Sequence, residues 1–376
     1  MARNRVIYQS EALYVSEDIT STATGKHRQL DRVQSANYNF SISRQDINQY
    51  GELAYIDSIV LDPPTVNLDF TYYLTDGSNE RALGFYVTTG AASEGNFASG
   101  HMTATSGKNF FIVTTAEGND HNSNTTIGNT KSMIGIGNGF LSDYTLDAAV
   151  GSLPTVSVTI EAANITAAGV SLTTGSGISG INPAINPSDG SSYSSTGIAL
   201  PSGQSNLGNS SITALRPGDV TLSFGQLATN GSGVIADISG NSDGIHIQSA
   251  SLSIPLSRSP LQRLGTKFPF ARTVDFPVVS TLTVNAIVNE ITAENLAATL
   301  DTNIKTDLTL TIKKPGTTTN AVIYTIKGAR LSSESFSSSI GSNKTVDLTF
   351  VTQVGGPNDT GNGIFVSGIG SSTIFS

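Results

Sequence analysis

The chain has 376 residues, enough for two ordinary domains, each with its own core. Only 13% of the residues are charged, and Ser, Thr, Asn and Gly take the place of the missing charges, which favours a surface that lies largely against neighbouring molecules. The net charge of −9 argues against binding to nucleic-acid phosphates, and the absence of cysteine excludes disulfides, thiolate metal sites and cysteine nucleophiles.

The N-terminal residues 1–27 are predicted to form an arm or a strand. No signal-peptide core follows Met1, and no apolar run approaches the roughly 18 residues of a membrane span. We therefore expect the chain to fold in a cytoplasm and to have no membrane partner.

Strict alternation of apolar and polar residues predicts β-strands along most of the chain. It is clearest at residues 38–42, 66–72, 252–256, 308–312 and 346–350. Each strand would bury one apolar face and leave the other face polar and uncharged. Short helices are expected at Ser78–Phe85 and at about 290–301, where leucines recur four residues apart.

An internal repeat organises these strands. Residues 34–68 align without gaps to 248–282 at an offset of 214, and nine of the 35 pairs are identical. Residues 138–160 align to 328–350 at an offset of 190, with seven of 23 pairs identical. Two blocks in the same order indicate duplication rather than shared composition.

The repeat predicts two related domains, at 28–163 and 244–356. Residues 164–243 would be a linker or a small insertion, and residues 357–376 a C-terminal tail. The alternating stretch Val220–Phe224 is a candidate strand of the second domain, equivalent to the region around Ala12–Glu17.

An ordered set of short motifs runs through both copies of the repeat. It consists of Arg32-Val33-Gln34-Ser35, Ser43-Arg44, Gly51, Leu61-Asp62-Pro63-Pro64-Thr65-Val66, Gly328-Ala329, Gly341 and Thr345-Val346-Asp347-Leu348-Thr349-Phe350. In this order and duplication, the motifs resemble the tail tube family of long-tailed bacteriophages. The resemblance covers about two thirds of the chain, and its motifs are specific only through their order and duplication.

This resemblance implies a mainly β fold with two tandem β-sandwich or barrel domains, each with one short helix. In the family, six domains form a ring whose inner strands make a continuous β-barrel, and the rings stack into a tube. Ordinary members carry one domain, whereas this chain carries two. Three chains would then complete a ring with pseudo-sixfold symmetry.

The predicted function is that of a virion structural protein: a tail tube subunit, assembled in the host cytoplasm, whose stacked rings conduct DNA without binding it specifically. Its partners would be copies of itself and other tail proteins such as a terminator, a hub or a sheath. The alternatives are a trimeric tail hub, tip or baseplate protein and, less well supported, a secreted adhesin or surface-layer protein.

Nothing in the sequence predicts an enzyme, a cofactor or a metal. The four histidines lack metal-ligand spacing, and no nucleophile motif stands at a strand–helix junction. His121 lies in the polar stretch 118–122 and is predicted to be solvated.

Two long loops carry the candidate contacts. Gln45–Asp62 and Ser259–Phe276 contain apolar residues that a small barrel need not bury, so they are predicted to contact a neighbouring subunit or ring. Arg44 and Arg258 occupy equivalent positions, either in subunit salt bridges or exposed. The full set is Arg44, Ile47, Tyr50, Ile56, Ile59, Arg258, Leu261 and Leu264.

Two further residues are candidates for the channel lining. Asp69 and Asp76 lie on or beside the strand predicted at 65–74, and a negative lining would repel DNA phosphates.

Overall fold

The computed structural model describes residues 10–89, 95–104, 106–116, 119–122, 130–173, 177–193, 197–201, 215–224, 245–288 and 305–368. Within these residues the protein is mainly β, with two short α-helices and a large sheet that does not close into a barrel. None of the described helices has the length and apolar character needed to cross a membrane.

The strands are numbered in chain order. Those of the first part are β1 (Glu11–Ser16), β2 (His27–Gln29), β3 (Val33–Ser41), β4 (Arg44–Ile47), β5 (Asp57–Val60), β6 (Thr65–Tyr73), β7 (Val87–Thr88), β8 (Lys108–Thr114), β9 (Thr130–Ala149), β10 (Thr155–Ala162), β11 (Asn164–Thr173), β12 (Gly177–Gly180) and β13 (Ile198–Leu200). Those of the second part are β14 (Val220–Phe224), β15 (Ile245–Pro255), β16 (Arg258–Leu261), β17 (Ala271–Val274), β18 (Val279–Val288), β19 (Thr306–Lys313), β20 (Asn320–Ser337), β21 (Thr345–Gln353) and β22 (Gly363–Gly368).

The central feature is an eight-stranded antiparallel layer, here called the main sheet. Its order is β3–β6–β10–β9–β15–β18–β21–β20. The first four strands, the first quartet, correspond one by one to the last four, the second quartet, at the sequence offsets of 214 and 190. The sequence repeat is therefore a repeat of strand order, and the β9–β15 pair joins the two quartets edge to edge.

The long strands β9 and β20 each belong to two layers. The N-terminal part of β9 pairs with β8 and β11, and β1 pairs with β8. The N-terminal part of β20 pairs in the same way with β19 and β22, and β14 pairs with β19. The strand predicted at Val220–Phe224 is thus present as β14. It pairs with β19 in the layer that includes β22, just as β1 pairs with β8 in the layer that includes β11.

Alternation along the strands explains the core. In β10 every second residue is buried, and β6 and β21 follow the same rule on their apolar faces. The edge strand β3 does not, because none of its residues is fully buried. Apolar residues from both quartets form one continuous cluster between the layers. The opposite face of the main sheet carries Ser, Thr, Asn and Asp, as the alternation predicts.

Two short helices lie in the first part of the chain. Helix α1 (Ser78–Leu83) confirms the helix predicted at Ser78–Phe85, and Gly84 ends it with a φ of 108° that favours glycine. Helix α2 (Ser99–Met102) was not predicted, so the expectation of one helix in this part is wrong: a single turn is too short to leave a periodic pattern. The helix predicted at about 290–301 lies outside the described residues.

Helix α1 places a carboxyl group in the core between the quartets. Glu80 is fully buried, and its Oε1 accepts hydrogen bonds from the hydroxyls of Tyr72 (2.8 Å) and Tyr144 (3.3 Å). Tyr144 also lies 2.9 Å, oxygen to oxygen, from Tyr324 of the second part. Burial, with a smaller contribution from the charge of Asp76, raises the pKa of Glu80 to about 7.

This pKa predicts a pH dependence of stability. Because the pKa of Glu80 is raised in the folded protein, the protonated group stabilises it fully below the unfolded pKa of about 4.3, and this stabilisation is lost as the pH rises through about 7. The variant Glu80→Gln stays neutral throughout. The melting temperature of the wild type should therefore fall relative to that of E80Q between pH 5 and pH 8.

Calorimetry of the two proteins at both pH values measures this difference. His101 and His121, whose pKa values burial lowers to about 3, act in the opposite direction but equally in both proteins, so they cancel. A melting-temperature difference that does not change with pH would show that Glu80 does not titrate in this range.

Candidate assembly surface

The joint between the quartets is an ordinary antiparallel strand pair. Residues 143–149 of β9 pair with residues 249–255 of β15, so that Leu146 lies opposite Leu252 and Tyr144 opposite Ile254. All four of these side chains are buried. We call this pair of strands, with the contacts around it, the internal joint.

A hairpin from the second part extends the internal joint. It is formed by β16 and β17 and is called the second hairpin. The side chain of Arg258 is buried, and its guanidinium donates to the carbonyl oxygens of His101 (2.7 Å) and Arg272 (3.1 Å) and lies 4.9 Å from the centre of the Phe140 ring. Its pKa is lowered to about 10 by burial.

The ion pair of this joint belongs to another arginine. Arg272 of β17 lies 3.4 Å from the carboxylate of Glu161 on β10. The expectation of a salt bridge or an exposed side chain at Arg258 is therefore wrong, since this arginine is buried against two carbonyl oxygens and a ring. Arg44, its equivalent, is exposed.

The equivalent residues of the first quartet show what the internal joint covers. Leu252, Ile254 and Leu256 are at most 1% exposed. Their counterparts Tyr38, Phe40 and Ile42 are 42, 60 and 42% exposed. The same positions are thus covered in β15 by β9, whereas β3 has a described strand, β6, on one side only.

The other end of the main sheet is the matching edge. Residues 330–337 of β20 pair with β21, and in the described part of the chain no strand lies on their other side. They are the counterparts of the β9 residues that hold β15. Ser333, Ser335 and Ser337 are exposed, and Phe336 is partly buried beneath the ammonium of Lys344, 4.9 Å from its ring centre. The main sheet therefore ends in two different edges: β3, the counterpart of β15, and β20, the counterpart of β9.

The first hairpin, formed by β4 and β5, carries most of the predicted contact residues. Ile47, Ile56 and Ile59 are about two-fifths to one-half exposed, and Tyr50 at the tip is fully exposed. In the second hairpin, Leu261 is partly exposed and Leu264 at the tip is fully exposed. Contact of these residues with another molecule stays a prediction.

The two lumen candidates lie in different surroundings. Asp69 is exposed on the polar face of the main sheet and accepts a hydrogen bond of 2.8 Å from the Thr159 hydroxyl. Asp76 follows β6 and accepts a hydrogen bond of 3.2 Å from the amide of Ser78 at the start of α1. Only Asp69 shares a face with the other sheet carboxylates, because Asp76 has left the strand.

His121 is not solvated, contrary to the prediction. It is buried, and its Nε2 lies 2.8 Å from the hydroxyl of Tyr14. A polar neighbourhood in the sequence does not reveal a contact more than one hundred residues away. Across the described residues, no group of His, Asp or Glu side chains is placed to hold a metal ion.

Comparison with models of known protein families finds no match to this chain, and neither does a search of curated proteins.

A matched pair of substitutions tests whether the exposed edge is an interface. Phe40→Asp should leave the stability of the free chain within about 0.5 kcal/mol, because the side chain is exposed, but should abolish self-association. Ile254→Asp, at the equivalent buried position, should cost about 3–5 kcal/mol of unfolding free energy because it leaves an unpaired charge in the core. Denaturant unfolding and sedimentation velocity measure the two effects. Normal self-association of F40D would contradict the assignment.

Proposed function

We propose that this protein is a self-assembling ring subunit whose stacked rings form a tube of the phage-tail type. The observation that carries the proposal is the internal joint, in which the edge strand β9 of the first quartet pairs with the edge strand β15 of the second quartet. The exposed edges β3 and β20 are the two halves of the same joint. A second copy of the chain supplies what each edge lacks.

The repeat fixes the register of this intermolecular joint. Applying the offsets of 214 and 190 to the β9–β15 pairs places Asn39 of one copy opposite Ser335 of the next. Tyr38 then lies opposite Phe336, as Leu252 lies opposite Leu146. An aromatic pair across the strands would cover side chains that are exposed in the free chain.

Ring closure follows from repetition of one joint. Each copy adds eight strands, and the rotation that relates the first quartet to the second also relates the second to the first quartet of the next copy. Such a head-to-tail interface closes into a ring when the rotation divides a full turn. The family resemblance implies six domains to a ring, so three chains with two domains each would complete it.

The polar face of the main sheet fits the wall of a channel that conducts DNA. Among the described strands of this sheet, the charged residues of this face are five carboxylates and one arginine, which lies in the middle of β20 where its pairing with β21 begins. Glu161 is paired with Arg272, and the other four carboxylates repel phosphates. The hydroxyls and amides of this face bind phosphates only weakly, so that DNA slides. These residues are Asp69, Asp143, Asp147, Glu161, Asp347 and Arg330.

The exposed tips favour stacked rings over a single ring such as a hub. Tyr50, Leu53 and Leu264 are fully exposed at the ends of two hairpins that lie outside the main sheet. Apolar tips recurring in both repeats would lie along one rim of a ring, where the next ring can cover them.

Engineered cysteines test the register. The chain has no cysteine, so Asn39→Cys with Ser335→Cys introduces the only thiols. Directly opposed residues of an antiparallel pair lie about 5 Å apart, within reach of a disulfide. Within one chain these residues are separated by seven strand spacings, about 33 Å, so every disulfide must be intermolecular.

Oxidation should give a covalent series that ends at three chains on a non-reducing gel. The control Ser35→Cys with Ser335→Cys is four residues out of register, about 13 Å, and should remain monomeric on the gel. Monomers only from the first variant would exclude the joint. A series that runs to six would retain the joint and refute the trimeric ring.

Charge reversal on the polar face tests the channel. Asp69→Lys with Asp347→Lys should make assembled protein retain linear double-stranded DNA at low salt and release it as salt is added, because lysines bind phosphates with counterion release. Glu52→Lys with Asp57→Lys makes the same charge change on the first hairpin and should have little effect. Filter binding over a salt series measures retention. Equal retention by both variants would contradict a channel lined by this face.

A further inference from the structure

A cavity of about 570 Å³ lies on the second quartet, between β20, β21 and the segment that follows β21. Residues that line it include Lys305, Arg330, Ser332, Val351 and Asp359. The equivalent surface of the first quartet is occupied by the second hairpin, and this contact suggests what binds in the cavity.

The cavity occupies the place where the second hairpin lies on the first quartet. By the offset of 190, Arg330, Ser332 and Val351 are the counterparts of Phe140, Ser142 and Glu161. In the first quartet, each of these three residues is in contact with the β15–β17 segment: Arg258 lies over Phe140, the amide of Leu256 donates to the carbonyl of Ser142 at 2.8 Å, and Arg272 pairs with Glu161. Among the described residues, no segment covers the equivalent surface of the second quartet.

The charges of both partners are reversed between the two places. The second hairpin, residues 258–276, carries four basic residues against one carboxylate, and it contacts the carboxylate of Glu161. The first hairpin, residues 44–62, carries four carboxylates against one arginine. The cavity presents two basic residues, Lys305 and Arg330, against one carboxylate, Asp359. The acidic hairpin therefore complements the basic cavity.

The register of the hairpins identifies the residue that enters. In the second hairpin, Arg258 lies opposite Val274, and Arg272 lies on the same face, two residues along β17. That face is turned to the first quartet. On the first hairpin the same face carries Arg44, Asp46, Ser58 and Val60, since Asp46 pairs with Ser58. Asp57 pairs with Ile47 and lies on the opposite face.

We propose that the cavity binds the first hairpin of a second copy of this chain. Strict equivalence would set Arg44 over Arg330, as Arg258 lies over Phe140, so the hairpin sits two residues along from the place of its counterpart and Asp46 meets Arg330 and Lys305. This inference rests on the proposed function, because it takes the occupant from the intermolecular joint. Arg44 then lies beside Asp359, whose carboxylate accepts hydrogen bonds from the amide of Gly361 (2.8 Å) and the side chain of Asn362 (3.2 Å). The contact adds attraction between opposite charges to an interface that otherwise consists of strand pairing.

Charge reversal on the two faces of the hairpin tests the proposal. Asp46→Lys should raise the concentration needed for half-maximal assembly about tenfold at low salt, and Arg330→Glu should do the same, since each places like charges together. Asp57→Lys, on the opposite face of the same hairpin, should leave assembly unchanged. The double variant D46K/R330E should regain assembly because it restores an opposite pair. Sedimentation at rising protein concentration gives these values.

The cysteine pair at 39 and 335, placed in each of these backgrounds, separates the two proposals. The disulfide can form while D46K and D57K weaken assembly equally, or while the double variant is not rescued. Either result would show that the first hairpin does not bind in the cavity, and it would leave the proposed strand pairing between chains intact. If the disulfide fails to form even without the charge changes, the joint itself is absent and both proposals fall.

Discussion

The antiparallel pairing of β9 with β15 is the constraint on which the rest of the structure depends. It makes one sheet from two quartets that descend from the same sequence pattern, and it buries Leu146 and Leu252 in a core that both quartets share. Because the joint runs head to tail, it leaves β3 and the C-terminal part of β20 as unlike ends. An isologous joint would have paired like with like and left no complementary edges.

In the proposed ring, the joint between chains, here called the outer joint, would differ from the internal joint in a way that orders assembly. The internal joint opposes apolar residues, Tyr144 and Ile254, which lie in a core that forms as the chain folds. The outer joint would oppose Phe40 with Glu334 and adds the charged contact at the cavity. The charge of Glu334 would limit uncontrolled pairing of the free chain, because a long apolar edge strand invites such pairing. Folding would therefore come first, and ring formation second.

Alternation and self-similarity in the sequence predicted the sandwiched strands, the repeat, helix α1 and the strand at Val220–Phe224. They could not predict which strand lies beside which. Alternation with a period of two residues indicates which face of the sheet a residue lies on, but not which strand is its neighbour. For the same reason the burial of Arg258 and His121 was missed, since their partners are remote in sequence. Asp76 was placed on or beside the strand because a pattern does not show where a strand ends and the turn before a helix begins.

Cryo-electron microscopy of the assembled protein tests most directly whether β3 and β20 pair between chains, because it shows both the number of chains and the strands that meet between them. We expect a closed ring of three chains in which β20 of each copy pairs antiparallel with β3 of the next, in the register set by β9 and β15. A ring or filament in which β3 and β20 remain unpaired at a surface would contradict it.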